Sequence, residues 1–203
     1  LAPKRSTGPE LNQVFLGSEG VYGIITSVEM KIYPIAETRI FQAYTFPSTH
    51  DGLNAIRNFI HKGLRPAVVR LYDEVEAVPK ISSYGFEKGF VLLILVFEGN
   101  KEMSELEAGM TKEICLGNNG RYKGELAARE WLETRFSTKK MLDFDAIKGG
   151  TADAIEVAAP WDCIENVWRE MRKALEPMCT VVDCHFSHVY HNGASVYVIY
   201  HAK

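Results

Sequence analysis

Every residue from Phe90 to Phe97 is apolar, and this run limits most strongly what the chain can fold into. Side chains of a β-strand alternate between two faces, so a strand is apolar throughout only where both faces are covered. The run is too short for a membrane-spanning helix, which needs about 20 residues. We therefore predict a central strand within a sheet, and no transmembrane segment.

Patterns typical of strands and helices alternate on both sides of this run. We predict further strands over 39–46, 67–72, 154–158, 181–190 and 194–201, and helices that begin near Ser48, Asn100 and Pro160, with another helical stretch over 124–136. Strand–helix–strand units of this kind build an α+β fold. We expect an antiparallel or mixed sheet with helices packed on one face, arranged as two ferredoxin-like halves.

The end of the sequence predicts a β-hairpin. Asn192-Gly193 is a strong signal for a two-residue turn between strands. With such a turn, His188 lies opposite Tyr197 on the neighbouring strand. A phenol beside an imidazole can gain or lose its proton more easily than an isolated phenol, whose pKa is about 10. The alternative is that Tyr197 only fills the core of a covered strand.

Near the other end, apolar and polar residues alternate from Ile24 to Tyr33, which predicts a strand that Pro34 ends. We place a domain boundary just beyond it, so that residues 1–35 and 36–203 belong to different domains.

Composition narrows the function classes. The 203 residues carry a net charge of −3, so the sequence has no basic excess for binding nucleic acid. The four cysteines form no C-x-x-C pair, which favours reduced thiols in a reducing compartment. Histidines are frequent near the C-terminus, but His185 and His188 are expected on opposite strand faces, so we predict no metal site.

Glycines recur every third residue from Gly17 to Gly23. A Rossmann fingerprint needs a strand before the glycines and a helix after them, whereas here a loop precedes and a strand is predicted to follow. Two readings remain open. The glycines either let the backbone approach a bulky ligand or its pyrophosphate, or they form a tight turn that leads into the strand.

Several segments resemble the FAD-linked oxidases of the vanillyl-alcohol-oxidase type and, among these, the alkylglycerone-phosphate synthases. They are Ser6-Thr7-Gly8-Pro9, Gly17-Ser18-Glu19-Gly20, Arg70-Leu71-Tyr72-Asp73, Phe97-Glu98-Gly99, Ala159-Pro160-Trp161-Asp162, and the stretch from Tyr190 through Gly193-Ala194 to Tyr197. The glycine loop is shared by the wider FAD family, while the Ala-Pro-Trp-Asp and tyrosine segments are more discriminating. The resemblance covers nearly the whole chain.

The resemblance implies FAD as the cofactor. Residues 1–35 then end an FAD-binding domain, and residues 36–203 form a substrate-binding cap domain that is incomplete at its C-terminus. The segment expected to contact the dinucleotide is Glu19, Gly20, Val21, Tyr22, Gly23, Ile24 and Ile25. Val21 and Tyr22 replace the Thr-Leu that is usual in the family, so we expect contact through the backbone there.

The resemblance also implies roles for particular side chains. Tyr197 matches the family's catalytic tyrosine, and His188 is its predicted partner. Arg70 matches an arginine needed for activity and would hold the substrate phosphate; the alternative is a structural salt bridge to Glu98 or Glu156. A second arginine is missing from its expected place, where Lys140 is the candidate substitute.

The implied activity of the full-length protein is that of an FAD-dependent enzyme of ether-lipid synthesis, which exchanges the acyl group of acyl-dihydroxyacetone phosphate for a long-chain alcohol. One alternative is an FAD-linked D-2-hydroxy-acid dehydrogenase, and another is an isolated, colourless cap domain without activity. We expect a small-molecule substrate, a lipid phosphate or a hydroxy acid, and a homodimer is compatible with the sequence. The expected location is intracellular: cytoplasmic, or peroxisomal in a eukaryote.

Overall fold

A computed structural model describes residues 8–87, 89–137 and 150–202 of the chain. The chain divides into two compact units, Leu1–Pro34 and Ile35–Lys203.

The first unit contains a short helix, α1 (Leu11–Phe15), and a loop in which Gly17, Glu19, Gly20 and Gly23 have positive φ angles. The strand predicted from Ile24 to Tyr33 is wrong, because these residues adopt no regular structure. A strand exists through hydrogen bonds to a neighbouring strand, and no described residue forms a ladder with this segment. Its apolar side chains are exposed, as Ile24 at 88% and Ile32 at 87% illustrate.

The second unit is an α+β fold, as predicted. In chain order its elements are β1 (Thr38–Phe46), α2 (Thr49–His61), β2 (Val68–Tyr72), α3 (Glu74–Ser83), β3 (Val91–Gly99), α4 (Lys101–Gly117), β4 (Arg121–Tyr122), α5 (Leu126–Thr134), β5 (Thr151–Pro160), α6 (Ile164–Leu175), β6 (Val181–Ser187) and β7 (Gly193–Ala202). The strands form one seven-stranded sheet in the order β4-β1-β3-β2-β6-β7-β5. Every strand pair is antiparallel.

The first four strands have the order of a ferredoxin-like unit, with α2 and α4 as the connections between its strands. The strand β3 lies between β1 and β2 and is buried from Val91 to Phe97, which confirms the central strand predicted from the apolar run. The remaining strands, β6-β7-β5, form the second half of the sheet together with α6.

Helix starts follow local side-chain chemistry. The Ser48 hydroxyl accepts a hydrogen bond from the Asp51 amide at 3.1 Å, and the Asn100 side chain accepts one from the Met103 amide at 3.2 Å, so both predicted N-caps are confirmed. The predicted start at Pro160 is wrong. Pro160 ends β5, and α6 begins at Ile164. Because β5 is an edge strand, a proline without an N–H donor is tolerated there.

The two faces of the sheet are covered differently. Helices α2, α4 and α6 pack on one face along the whole sheet, around residues such as Phe59, Leu93, Trp168 and Val196. Two helices, α3 and α5, pack on the opposite face and cover mainly the first half of the sheet. We call the part of that opposite face formed by β7 and β5 the open face.

The predicted two-residue turn is wrong. The register of β6 and β7 pairs Ser187 with Ser195 and His185 with Tyr197, so the chain between the strands is longer than two residues. Gly193 is instead the first residue of β7 and pairs with Pro160. A Cβ atom on Gly193 would lie 2.1 Å from the Ala159 carbonyl oxygen, so only glycine fits at this position in the pairing of β7 with β5.

Candidate functional site

The open face displays a row of polar side chains. Along β7, Ala194, Val196 and Val198 belong to the core on the helix-covered face, so Ser195 and Tyr197 point to the other side. The helix that packs extensively on β7 and β5 in the described part of the chain is α6, and it lies on the opposite face. Tyr197 is therefore only partly buried, although it lies on a central strand.

Tyr197 lies between two titratable residues of the neighbouring strands. It pairs with His185 on β6 and with Glu156 on β5. The rings of His185 and Tyr197 stack with centroids 4.7 Å apart and planes inclined by 22°. No described residue hydrogen-bonds to the Tyr197 hydroxyl. Stacking therefore holds the phenol ring, and its hydroxyl has no partner within the described part of the chain.

His185 is held in turn by Glu76 on α3. Its Nδ1 lies 2.9 Å from Glu76 Oε2. Burial raises the pKa of Glu76, but the hydrogen bond from His185 and nearby positive charges outweigh it and lower the pKa overall. Burial also lowers the pKa of His185. We therefore assign an ionised Glu76 that accepts from Nδ1–H of a neutral imidazole, which leaves Nε2 unprotonated.

Arg70 lies beside this pair. Its Nη2 is 3.0 Å from His185 Nδ1 and 3.9 Å from Glu76 Oε1. Because Nδ1–H is directed to Glu76, the attraction of Arg70 is to the carboxylate and not to the ring nitrogen. The guanidinium also lies over the rings of Tyr72 and Trp131, with its central carbon 5.2 and 5.9 Å from the ring centroids. The structural partners suggested by the sequence, Glu98 and Glu156, are wrong: Glu98 pairs with Arg39, and Glu156 accepts from Ser195.

Two cavities lie close to Arg70, Glu156 and Ser195. One, of about 820 Å³, lies where β5 and β7 meet the loop after β6, and its lining includes Glu156, Ser195 and Pro160. The other, of about 340 Å³, includes Arg70 in its lining. His188 and Tyr190 line both cavities. The loop after β6 therefore separates two adjoining spaces.

The structure corrects the predicted pairing of His188 with Tyr197. His188 lies in the loop after β6, with a φ angle of 48°, and it is exposed. The error follows from the turn, because a longer loop shifts the register and brings His185 to the position opposite Tyr197. Lys140 lies outside the described residues. The segment from Glu19 to Ile25 lies in the first unit.

Two more carboxyl groups lie close to the Glu76–His185 pair. Burial raises the pKa of Asp183, on β6, to about 7, with further increases from the charges of Glu76 and Asp73. Burial raises the pKa of Asp73 to about 6. Asp73 nevertheless caps α3, because its Oδ1 accepts from the amides of Val75 and Glu76. Acidic groups are thus concentrated where α3 meets β6.

The loop from Glu19 to Ile25 offers backbone amides to a dinucleotide. The Val21 amide donates to the Ser18 carbonyl, whereas the amides of residues 22–25 have no hydrogen-bond partner among the described residues. Val21 and Tyr22 are 79% and 62% exposed. Left-handed turns and amides that lack a partner within the described ranges fit a phosphate or a ring carbonyl of FAD. No group of three or more metal-ligating side chains occurs among the described residues.

Four residues close to Tyr197 or Arg70 were not identified from the sequence as site residues: Glu76, His185, Trp131 and Arg135. Glu76 lies two residues inside α3, and only the packing of α3 against β6 brings it to His185. A prediction that assumed a loop longer than two residues between β6 and β7 would have placed His185 opposite Tyr197. Trp131 and Arg135 lie at the end of α5, and no local pattern in the sequence associates them with Arg70.

Comparison with known proteins establishes the family. A family model described as the C-terminal domain of FAD linked oxidases matches residues 35–203. Because the match covers most of the chain, the chain belongs to this family, and the resemblance inferred from the motifs is confirmed. None of the helices in the described ranges is long and apolar enough to cross a membrane.

Individual relatives are distant. The chain is 25% identical over 227 residues to alkyldihydroxyacetonephosphate synthase of Caenorhabditis elegans, covering 96% of this chain and 38% of the relative. It is 26% identical over 217 residues to an uncharacterized FAD-linked oxidoreductase, YgcU, of Escherichia coli K12, covering 98% and 43%. A solved alkyldihydroxyacetonephosphate synthase matches with a TM-score of 0.82 and 23% identity over 97% of this chain and 41% of its own. The chain thus spans about two-fifths of the length of these relatives.

Proposed function

We propose that this chain is the substrate-facing part of an FAD-dependent enzyme of the alkylglycerone-phosphate-synthase type. Family membership supports an FAD-linked enzyme, and similarity to alkyldihydroxyacetonephosphate synthases over nearly the whole chain favours this reaction. The proposed reaction exchanges the acyl group of an acyl-dihydroxyacetone phosphate for a long-chain alcohol, with no net oxidation.

The observation that carries the proposal is the open face with Tyr197 at its centre. The Tyr197 hydroxyl has no hydrogen-bond partner among the described residues, whereas the equivalent face of the first half of the sheet carries buried apolar side chains. We assign this hydroxyl to hold and move the proton of the substrate carbon next to the ester. His185 fixes the phenol ring by stacking, and Glu76 fixes the imidazole.

The first unit has a different proposed role. Residues 1–35 would be part of the FAD-binding domain and residues 36–203 the cap domain. The amides of residues 22–25, which have no partner in the described ranges, and the backbone around Glu19 and Gly20 would hold the dinucleotide. When bound, FAD supplies the electron-pair chemistry at the substrate carbon. Arg70, with Lys140 as a second candidate, would hold the substrate phosphate.

The test uses the full-length protein with its flavin. We expect it to exchange a labelled acyl group of acyl-dihydroxyacetone phosphate for hexadecanol, and Tyr197→Phe to reduce the rate by about 10²–10⁴. Tyr200→Phe is the matched control, because Tyr200 lies on the same strand but packs against the helix-covered core, and its rate should remain within about threefold of the wild type.

Two outcomes would contradict the proposal. Equal rates for Tyr197→Phe and the wild type would remove the assigned proton transfer. Reduction of an artificial electron acceptor by D-lactate without any acyl exchange would instead identify a D-2-hydroxy-acid dehydrogenase.

A further inference from the structure

The Ala-Pro-Trp-Asp segment is one of the more discriminating motifs of the sequence, yet the proposed reaction uses none of its side chains. Its tryptophan, Trp161, directly follows β5 and contacts the loop after β6, from His188 to Asn192. We propose that Trp161 is a positioning residue that holds this loop between the two cavities and thereby affects substrate binding. Only the effect on substrate rests on the proposed function, because the hold on the loop can be measured without turnover.

Trp161 donates hydrogen bonds to three successive carbonyl groups of the loop. Its indole Nε1 lies 3.1 Å from the Tyr190 carbonyl oxygen and 3.0 Å from that of His191. Its backbone amide lies 3.2 Å from the Asn192 carbonyl oxygen. Because three neighbouring carbonyl groups converge on one residue, the path of the loop backbone depends on where Trp161 lies.

The sheet fixes the position of Trp161. The side chain is partly buried and packs against the core on the helix-covered face. The preceding residue, Pro160, pairs with Gly193 at the close approach of β5 to β7. The donors of Trp161 are therefore placed by packing and strand pairing, and not by the loop that they hold.

A second donor reaches the loop from α2. His61 Nε2 lies 2.8 Å from the His191 carbonyl oxygen. A carbonyl oxygen can only accept, so we assign the proton of the His61 ring to Nε2. His61 contributes one hydrogen bond and Trp161 contributes three, so we expect Trp161 to have the larger effect on the loop.

The loop needs such contacts because little else orders it. Most of its residues are exposed, and it forms no regular structure beyond the hydrogen bond from the Tyr190 amide to the Gly193 carbonyl at 2.8 Å. A segment of this kind keeps one conformation only where its contacts offset the conformational entropy that it loses. His188 and Tyr190 line both cavities, so a loosened loop changes the shape of both.

The same loosening should leave Tyr197 in place. Tyr197 lies on β7, which is paired on both sides, with β5 and with β6, independently of the loop. We therefore expect loss of the indole donor to affect the binding of substrate more than the chemical step.

The first experiment measures hydrogen–deuterium exchange in the full-length protein. Trp161→Phe keeps an aromatic ring and removes the indole N–H, and peptides spanning residues 188–193, which include the Tyr190 amide, should exchange at least about tenfold faster. His61→Gln, which retains a side-chain donor, should leave this exchange within about twofold of the wild type, and His61→Ala should raise it by less than Trp161→Phe does.

Trp168→Phe is the matched control. It makes the same chemical change on α6, but Trp168 Nε1 has no hydrogen-bond partner among the described residues, so no such bond is lost. Trp168 is only 6% exposed, and its substitution should lower the overall stability more than Trp161→Phe does. Exchange in the loop should nevertheless stay within about twofold of the wild type.

The second experiment is steady-state kinetics of the full-length enzyme with its flavin. Trp161→Phe should raise KM for acyl-dihydroxyacetone phosphate by about fivefold or more and leave kcat within about threefold of the wild type. A fall in kcat with an unchanged KM would overturn the link between the loop and substrate binding.

Unchanged loop exchange in Trp161→Phe would overturn the inference. Equal acceleration over the whole sheet would also overturn it, because this would show a general loss of stability. A wild-type protein without acyl exchange would contradict the proposed reaction, whereas the exchange measurements would still decide whether Trp161 holds the loop.

Discussion

The two halves of the sheet share one antiparallel architecture and differ in what covers their second face. In the first half, Phe41, Ile94 and Val96 are buried beneath α3 and α5. In the second half, the equivalent face carries Ser195, Tyr197 and Glu156, and the described helices leave it largely uncovered. Within the described residues, one half is therefore covered by helices on both faces, whereas the other is covered mainly on one.

The strongest test of this comparison substitutes one isoleucine in each half. Ile94 on β3 is 1% exposed, so Ile94→Ala should lower the free energy of unfolding by about 2–5 kcal/mol through lost burial and a cavity. Ile199 on β7 faces the open side and is only partly buried, so Ile199→Ala should lower it by about 1 kcal/mol or less. Guanidinium denaturation of the chain measures both values. Similar losses would show that the second half is covered as well as the first.

A smaller effect is expected from the acidic groups where α3 meets β6. Because the pKa of Asp183 is raised in the folded chain from 3.8 to about 7, the folded state binds its proton more tightly than the unfolded state does. The contribution of this proton to stability is complete below about pH 4, declines as the pH rises through that interval and is lost above about pH 7.

Asp183→Asn should therefore raise stability at pH 8 relative to the wild type by about 1–2 kcal/mol, a value that allows for the solvent that reaches this half-buried carboxyl. The same substitution should have little effect at pH 4. Urea denaturation at several pH values measures this difference, with Asp153→Asn, on exposed β5, as the control. A gain that does not change with pH would show that the proton on Asp183 is not responsible.

The smallest effect concerns helix starts in the two halves. Ser48 caps α2 with a hydrogen bond to the Asp51 amide, and Ser48→Ala should lower the free energy of unfolding by about 1 kcal/mol. Cys163, at the same position before α6, makes no such side-chain bond, so Cys163→Ala should change it by less than about 0.5 kcal/mol. Thermal unfolding of both variants checks this ranking, and a reversed order would contradict the assigned caps.

Most of the fold could be predicted because its signals are local. The composition of the run from Phe90 to Phe97 is enough to indicate a strand covered on both faces. Ser48 and Asn100 indicate helix starts, because each accepts a hydrogen bond from a backbone amide within the first turn of its helix. The segment from Ile24 to Tyr33 carries an equally regular pattern and forms no strand. A strand depends on a neighbouring strand, and the pattern of one segment does not reveal whether that neighbour is present.

The site was less predictable, because it depends on register and on distant packing. Tyr197 was identified through family resemblance, but its neighbour was assigned from an assumed turn and came out as His188 instead of His185. The hydrogen bond from His185 to Glu76 joins residues 109 positions apart. Arg70 was also identified through family resemblance, while its contact with Trp131 depends on how α5 packs on the sheet.

The close approach of Gly193 to the backbone of β5 limits how this hairpin can be altered. The α-carbon of Gly193 lies so close to the Ala159 carbonyl that any larger residue must push two backbones apart, and this would disturb the strand that carries Tyr197. The preceding loop contributes His188 and Tyr190 to the lining of both cavities, so substitutions there would alter both. The ligand preference of the cavities could thus be changed through one short loop, while Gly193 keeps the strand pairing that positions the phenol of Tyr197.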